Sequence, residues 1–408
     1  MTVPVFAAIA IILPYADLGT ALLGLLISAL ICFGMYYVSA MWGMQTGYPL
    51  YIVGTSTFGT VGGYLFPGIF MGLLQIGWYG VTTYFSATFI CQTFGWEARP
   101  LSLPFTVTGI AWGLIFAFLS MQGLKYVAAI STYLPIVPFV MIAVAAWRGF
   151  PGLEKFSPWE ADRLKGMLLL IDLMVGYSAS AMAAGADFAR ETRDKGDVWK
   201  GGLTGISLAC FMAGTLSYLA MAGVNGQNPG SHITNFPEGI QALGGFLAAT
   251  MALLFALSST SPTAFVGFLI GNSLSTMIPP LGRERATLAG ALAGIILAVT
   301  GWAGRLEAFF GMVGASFGPI VGAMTADYLL SGGRWPGPRR GISIPGYAAW
   351  ALGFIVGILP NPVLGTGLHY APAGLYALLV GFAVYFVLAK IGLESGETIA
   401  SKNTNIAT

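Results

Sequence analysis

LFALSSTSPTAFVG, residues 254–267, is the stretch on which the fold turns. Ser258, Ser259, Thr260 and Ser261 run consecutively into Pro262, between GGFLAATMALLFAL (244–257) and AFVGFLIG (264–271). Flanks this apolar mark a membrane crossing, because a hydrocarbon core about 30 Å thick takes about 20 apolar residues per helix. The most polar and least helical part of the span therefore falls where lipid should surround it. Pro262 has no amide hydrogen, and its ring clashes with the carbonyl of Ser258 one turn earlier. Lipid offers the freed carbonyls no partner.

The rest of the chain agrees with a crossing. Of 408 residues, 56% are hydrophobic and 8% charged, against roughly 25% charged in an ordinary soluble domain. Eleven apolar spans are expected, at 17–40, 65–92, 103–122, 124–147, 166–187, 198–224, 243–271, 286–302, 306–330, 344–360 and 372–391. No strand-like alternation competes with them, which argues against a membrane barrel. VPVFAAIAIILP (3–14) is about half a crossing and lacks the basic start and cleavage site of a signal peptide. Eleven spans and a half suggest twelve with the first clipped.

If the fragment is the outer half of the first helix, twelve of the 18 Lys and Arg lie on the cytoplasmic side, Lys125, Arg190, Arg283, Arg339 and Lys402 among them. That bias puts both termini of the full-length form in the cytoplasm, and the expected location is the cell's inner (plasma) membrane, as a multi-pass protein. The basic residues are scattered, which excludes nucleic acid as a partner. Cys32, Cys91 and Cys210 read as buried thiols. His232 and His369 are too far apart for a metal site. No catalytic cluster is present, so the chain is not an enzyme and no cofactor is expected. SPWEADRLK (157–165) has the form of a helix start, with Ser157 as cap.

Chemistry can concentrate in three further places. The hydroxyls of 258–261 either bond back to the backbone at a proline kink or, with loosened carbonyls, seat a hard cation among neutral oxygens, as broken midplane helices of transporters do. VGYSASAMAAGADF (175–188) is a run of small residues that suits close helix packing or an unwound segment against a ligand. Asp172, upstream of it, is an acid within a span and a candidate for proton or cation binding, although Lys165 nearby suits an interfacial carboxylate equally. In LLQIGWYGVTTYF (73–85), Gln75, Trp78 and Thr82 share one helical face. An aromatic plane, an amide and a hydroxyl on that stripe suit a flat hydrogen-bonding ring, unless Trp78 simply packs between helices. FGPIVGAMTADYLL (317–330) is expected to break at Gly318–Pro319 and to end in Asp327–Tyr328 at the cytoplasmic side, where Asp327 caps the helix or pairs with loop arginines rather than taking part in transport.

QIGWYG (75–80), GADFAR (185–190), DVWKGGLTG (197–205) and FGPIVGAMTADYLL, in this order and spacing, resemble the nucleobase:cation symporter-1 family, whose members include bacterial cytosine and purine permeases. The likeness runs from about Leu13 to the end of the last span. It implies an all-α polytopic membrane protein with a leucine-transporter-like 5+5 inverted repeat and two added C-terminal helices, the first helix incomplete. One transmembrane domain would cover 1–391, as helices 1–5 (1–147), 6–10 (166–330) and 11–12 (344–391), with a cytoplasmic tail at 392–408.

By the same resemblance Trp78 stacks on the substrate ring, Thr82 bonds it, and Ser258 and Ser259 bind Na+, the coupling ion, with H+ as the alternative. The implied partners are a small heterocyclic substrate and the bilayer. The family's helix 6 aromatic falls at Ser178, with Tyr177 adjacent. Its helix 8 asparagines are replaced in the region of Thr260, Ser261 and Thr263, and a donor–acceptor mismatch of roughly 1–3 kcal/mol changes which ring is accepted. The expected function is secondary import of a cytosine, purine or related planar ring. The alternative is a non-transporting relic or sensor, suggested by Met1 falling near the middle of the family's first helix.

Overall fold

The computed structural model describes residues 2–123, 134 and 136–393, and among them every regular element is helical. The start of the expected span 124–147, Lys125, and the tail from 394 with Lys402 lie outside the described residues. Each of the other ten expected spans meets a helix. Among the described residues, eight helical stretches are long and apolar enough to cross a membrane, or nine if Thr55–Phe66 and Phe70–Thr93 count as one. The expected spans 286–302 and 344–360 fall short by that measure. Their helices have 17 residues with Arg283, Glu284 and Arg285 in the first turn, and 15 residues.

The chain divides into two compact units, each drawing on both halves of the sequence. The first comprises Met1–Leu22, Gly72–Met167 and Met212–Phe309. It holds α1 (Thr2–Ile12), most of α5 (Phe70–Thr93), α6 (Leu103–Met121) and α7 (Ile136–Gly149). It also holds most of α11 (Ala209–Gln227), the short α12 (Phe236–Gln241), α13 (Gly245–Ser258), α14 (Thr260–Met277) and α15 (Arg283–Val299).

Glycines let its helices touch. A Cβ at Gly149 would come within 2.8 Å of the Leu219 carbonyl, and one at Gly113 within 2.3 Å of Ile295. Phe6, Phe89, Phe236 and Phe255, each at most 1% exposed, interlock where α1, α5, α12 and α13 meet. Helix does not begin at Pro158 as expected. Pro14 O takes the amides of Glu160 and Ala161, and Asp162 accepts Lys165 N at 3.0 Å, so Asp162 becomes the cap and the next helix starts at Arg163.

The second unit comprises Leu23–Met71, Leu168–Phe211 and the chain from Phe310. It contains most of α2 (Leu18–Thr46), α3 (Leu50–Val53), α4 (Thr55–Gly63) and most of α8 (Arg163–Ala183). After these come α9 (Gly185–Ala189), α10 (Lys195–Gly202), most of α16 (Leu306–Leu330), α17 (Ile344–Ile358) and α18 (Ala373–Lys390). Wider π-turns follow α4 at Tyr64–Ile69 and α10 at Leu203–Leu208.

The expected break at Gly318–Pro319 does not form, and α16 runs through it. Pro319 is received by glycines of two neighbours, since a Cβ at Gly353 or Gly381 would lie 2.5 or 2.6 Å from it. The Trp350 indole donates to the Ser316 carbonyl at 3.1 Å, so part of the disturbed backbone finds a donor outside its own helix.

Candidate functional site

In the first unit the polar stretch is a one-residue break in the regular winding of a single apolar span, Gly245–Met277. α13 ends at Ser258, α14 begins at Thr260, and Ser259 between them has φ −75°, ψ −8°. The Ser259 amide is shared between the carbonyls of Phe255 (3.2 Å) and Ala256 (3.0 Å), a tightened turn. Both serine hydroxyls donate to one acceptor, the Phe255 carbonyl, at 2.8 Å from Ser258 and 3.1 Å from Ser259. Thr263 Oγ1 donates to the Ser259 carbonyl at 2.6 Å. Thr260 differs: its hydroxyl oxygen is buried with no hydrogen-bond partner. An unmet buried hydroxyl costs about 1–3 kcal/mol.

α5 runs antiparallel along this broken span. Phe89 stacks on Phe255 with centroids 5.6 Å apart, Thr93 Oγ1 reaches the Ala249 carbonyl at 3.4 Å, and a Cβ on Gly267 would lie 3.1 Å from the Tyr79 ring. A Cβ on Gly72 would meet Leu274 at 2.9 Å. That register sets Ser86 opposite the break, with Thr82 one turn and Trp78 about two turns, roughly 12 Å, further along. Aromatic packing fixes the break from above: Phe6 of α1 meets Phe255 edge-on at 6.2 Å and stacks on Phe236 at 4.2 Å. Sequence reading missed that cluster, because its four rings come from four separate segments.

On α5, Gln75 is buried and Trp78 half-buried. The Thr82 hydroxyl donates to its own helix, at the Trp78 (3.2 Å) and Tyr79 (3.1 Å) carbonyls, which leaves its oxygen able to accept. Trp78 packs against the core of Tyr79, Ile270 and Ile295 and meets Phe309 edge to face, centroids 5.0 Å apart at 84°.

The second unit holds the remaining candidates. Asp172 Oδ1 accepts the Gly374 amide at 2.9 Å, in the first turn of α18, where a carboxylate also suits the helix dipole. Burial first, and then the Asp172 charge, push the hydroxyl of the loop residue Tyr370 above its ordinary value. Tyr177 tilts against Phe310 at 5.8 Å. Ser178 is 1% exposed, and its hydroxyl has no hydrogen-bond partner.

The small residues around Tyr177 and Ser178 serve close packing. A Cβ on Gly176 would come 2.5 Å from the Phe310 carbonyl, and one on Gly185 2.8 Å from that of Tyr36. The helix does break, at Ala184 (φ −73°, ψ 11°), and Ser39 stitches it by donating to the Ala183 carbonyl and accepting from Ala186 N at 3.1 Å. Beyond it Asp187 Oδ2 accepts Leu50 N at 3.0 Å. Burial raises the Asp187 carboxyl above its usual value, against the opposing pull of the Leu50 amide and Arg190.

The three cysteines are buried free thiols, as expected. Among the described residues no group of three or more His, Cys, Asp or Glu could hold a metal ion.

A family model described as permease for cytosine/purines, uracil, thiamine, allantoin matches residues 1–335. The putative allantoin permease of Escherichia coli (strain K12) is 21% identical over 340 residues, covering 76% of this chain and 69% of that protein. The solved structure of Mhp1, a nucleobase-cation-symport-1 family transporter in a closed conformation with bromovinylhydantoin bound, matches with a TM-score of 0.69. Its identity is 16%, over 99% of this chain and 93% of that one. An inward facing conformation of Mhp1 also gives 0.69, at 18% identity over 98% and 94% of the two chains. The backbone likeness shows the leucine-transporter-like fold that the sequence motifs implied.

Proposed function

The chain belongs to the family of permeases for cytosine/purines, uracil, thiamine and allantoin, and from that premise we propose that it imports a small planar heterocycle together with Na+. It is a multi-pass membrane transporter, not an enzyme. The observation that carries the finer proposal is the break at Ser259, held beside α5 two turns from Trp78.

Ser258, Ser259 and Thr260 gather hydroxyls where Pro262 withholds an amide from the backbone. Hard cations favour such neutral oxygen ligands, and broken helices are where transporters place them. The buried Thr260 hydroxyl gives an incoming ion or ring a partner to satisfy. Trp78 offers an aromatic plane, Gln75 an amide and Thr82 an acceptor on one face of α5. Bromovinylhydantoin, bound by Mhp1, is a planar amide ring of the kind such a face suits.

Coupling draws on the membrane potential, about 2.3 kcal/mol per charge per 100 mV. In this proposal the protein sits in the inner membrane with its termini in the cytoplasm. The test is uptake of radiolabelled cytosine, uracil and allantoin into proteoliposomes with an inward sodium gradient, a proton gradient, or neither. Accumulation of one ring that needs sodium is the expected result. Accumulation driven equally by the proton gradient alone overturns sodium coupling, and no accumulation of any planar ring overturns the substrate class.

A further inference from the structure

Resting on the reading of Trp78 as the ring-stacking residue, we propose that Phe309 is a positioning residue that fixes the orientation of the Trp78 indole, and that Gly77 is glycine to admit it. Both observations lie within the first unit. The two rings are edge to face, centroids 5.0 Å apart at 84°. A Cβ built on Gly77 would stand 2.3 Å from Phe309 Cε2 and 2.9 Å from Cζ. Real Cβ atoms do not approach that closely, so any other residue at 77 forces the phenyl beside the indole to shift. The absent side chain at 77 and the ring at 309 are one device.

Phe309 is itself well anchored. It lies in the first turn of α16, and its amide donates to the Arg305 carbonyl at 3.0 Å. Arg305 in turn stacks on Trp302, 4.4 Å from the ring centre. Trp78 also packs against the core of Tyr79, Ile270 and Ile295. An indole held by a packed core and a perpendicular phenyl keeps one orientation. A stacking surface held that way meets a planar ring without first losing rotamer freedom. Phe309 therefore acts on the substrate through Trp78, without touching the ring.

The test uses the full-length protein and two readouts. In proteoliposomes with radiolabelled cytosine, uracil and allantoin, Phe309→Leu is expected to raise KM about three- to tenfold, the scale of one lost aromatic pair, with Vmax and the sodium requirement unchanged. Phe309→Tyr keeps the perpendicular ring and stays near wild type. Gly77→Ala reproduces the Phe309→Leu defect, and Gly77→Ala with Phe309→Leu is no worse than either alone.

The second readout needs no transport. The emission of Trp78, taken as wild type minus Trp78→Phe, loses anisotropy in Phe309→Leu. Unchanged anisotropy, or a fall in Vmax with KM constant, overturns the positioning role. Trp78→Ala separates the two levels. If it leaves KM unaltered, the substrate reading of Trp78 fails. If it abolishes saturable uptake while Phe309→Leu is silent, only the role of Phe309 fails.

Discussion

Asp327 Oδ1 accepts from both Nη atoms of Arg339 at 3.0 Å, and neither side chain is more than 7% exposed. The pair joins the end of α16 to the loop before α17. Ser56 and Thr57 of α4 donate to Oδ2, each at 2.9 Å, while Arg339 Nη1 donates to the Tyr385 hydroxyl at 3.0 Å and to the Ser56 carbonyl. The backbone of the same loop pairs with α4, Thr60 N to the Arg339 carbonyl at 2.9 Å and Val61 N to that of Gly341 at 3.0 Å. Gly59 at φ 79° allows this, since a Cβ there would meet the Gly341 carbonyl at 2.3 Å. The network locks one end of the second unit.

Removing one member of a buried ion pair strands the other without solvent, at about 3–5 kcal/mol. Arg339→Met should therefore lower the melting temperature in detergent sharply, and Asp327→Asn should do so as well. In the double variant no charge is stranded, so its loss should be clearly smaller than the two single losses added. Strict additivity would show that the pair contributes no coupling.

That pairing was legible in the sequence, because an acid at the end of an apolar span needs a cation and the next loop supplies arginines. The polar break was legible for a similar reason: Pro262 and four hydroxyls are local signals. Pro319 misled, because the glycines that receive it, Gly353 and Gly381, lie on other helices. The Phe6–Phe89–Phe236–Phe255 cluster and the fit of Phe309 into the notch at Gly77 were invisible for the same cause. Residue type and spacing report what a helix needs along its own length. Which distant segment answers the need is decided by packing.

Ser259 and Thr260 make opposite predictions about the break. If the Ser259 hydroxyl serves only the Phe255 carbonyl, Ser259→Ala leaves the sodium dependence of uptake untouched. A cation seat requires instead that the sodium concentration for half-maximal uptake rise several-fold. Thr260→Val removes a hydroxyl with no protein partner and keeps its shape, so the ligand-free protein should melt at a higher temperature. The same variant should gain less thermal protection from added sodium or ring. A Thr260→Val protein protected as fully as wild type would falsify a ligand role for that hydroxyl.

Asp172 is expected to be a structural acceptor rather than a proton carrier, because its Oδ1 already holds the Gly374 amide at the start of α18. Asn at 172 keeps an acceptor and loses the charge–dipole attraction, about 0.3–1 kcal/mol. The pH profile of uptake by Asp172→Asn should superimpose on that of wild type. Loss of a titration from the profile would reassign Asp172 to proton coupling.

Asp17 gives a pH prediction with a definite sign. It caps α2 by accepting Thr20 N at 2.8 Å and pairs with Arg163 at 2.8 Å. The Thr20 bonds first, and then the arginine charge, hold its carboxyl below the ordinary value of 3.8. With the folded-state pKa depressed, the unfolded chain takes up the proton first as pH falls. The stabilisation is complete above about pH 4 and is lost as pH drops through the lower folded-state value. Asn at 17 can still cap the helix but never carries the charge. The gap in melting temperature between wild type and Asp17→Asn should hold steady from neutral pH down to about pH 5 and close below about pH 4. Were the gap to widen on acidification, the carboxylate would not be the stabilising form.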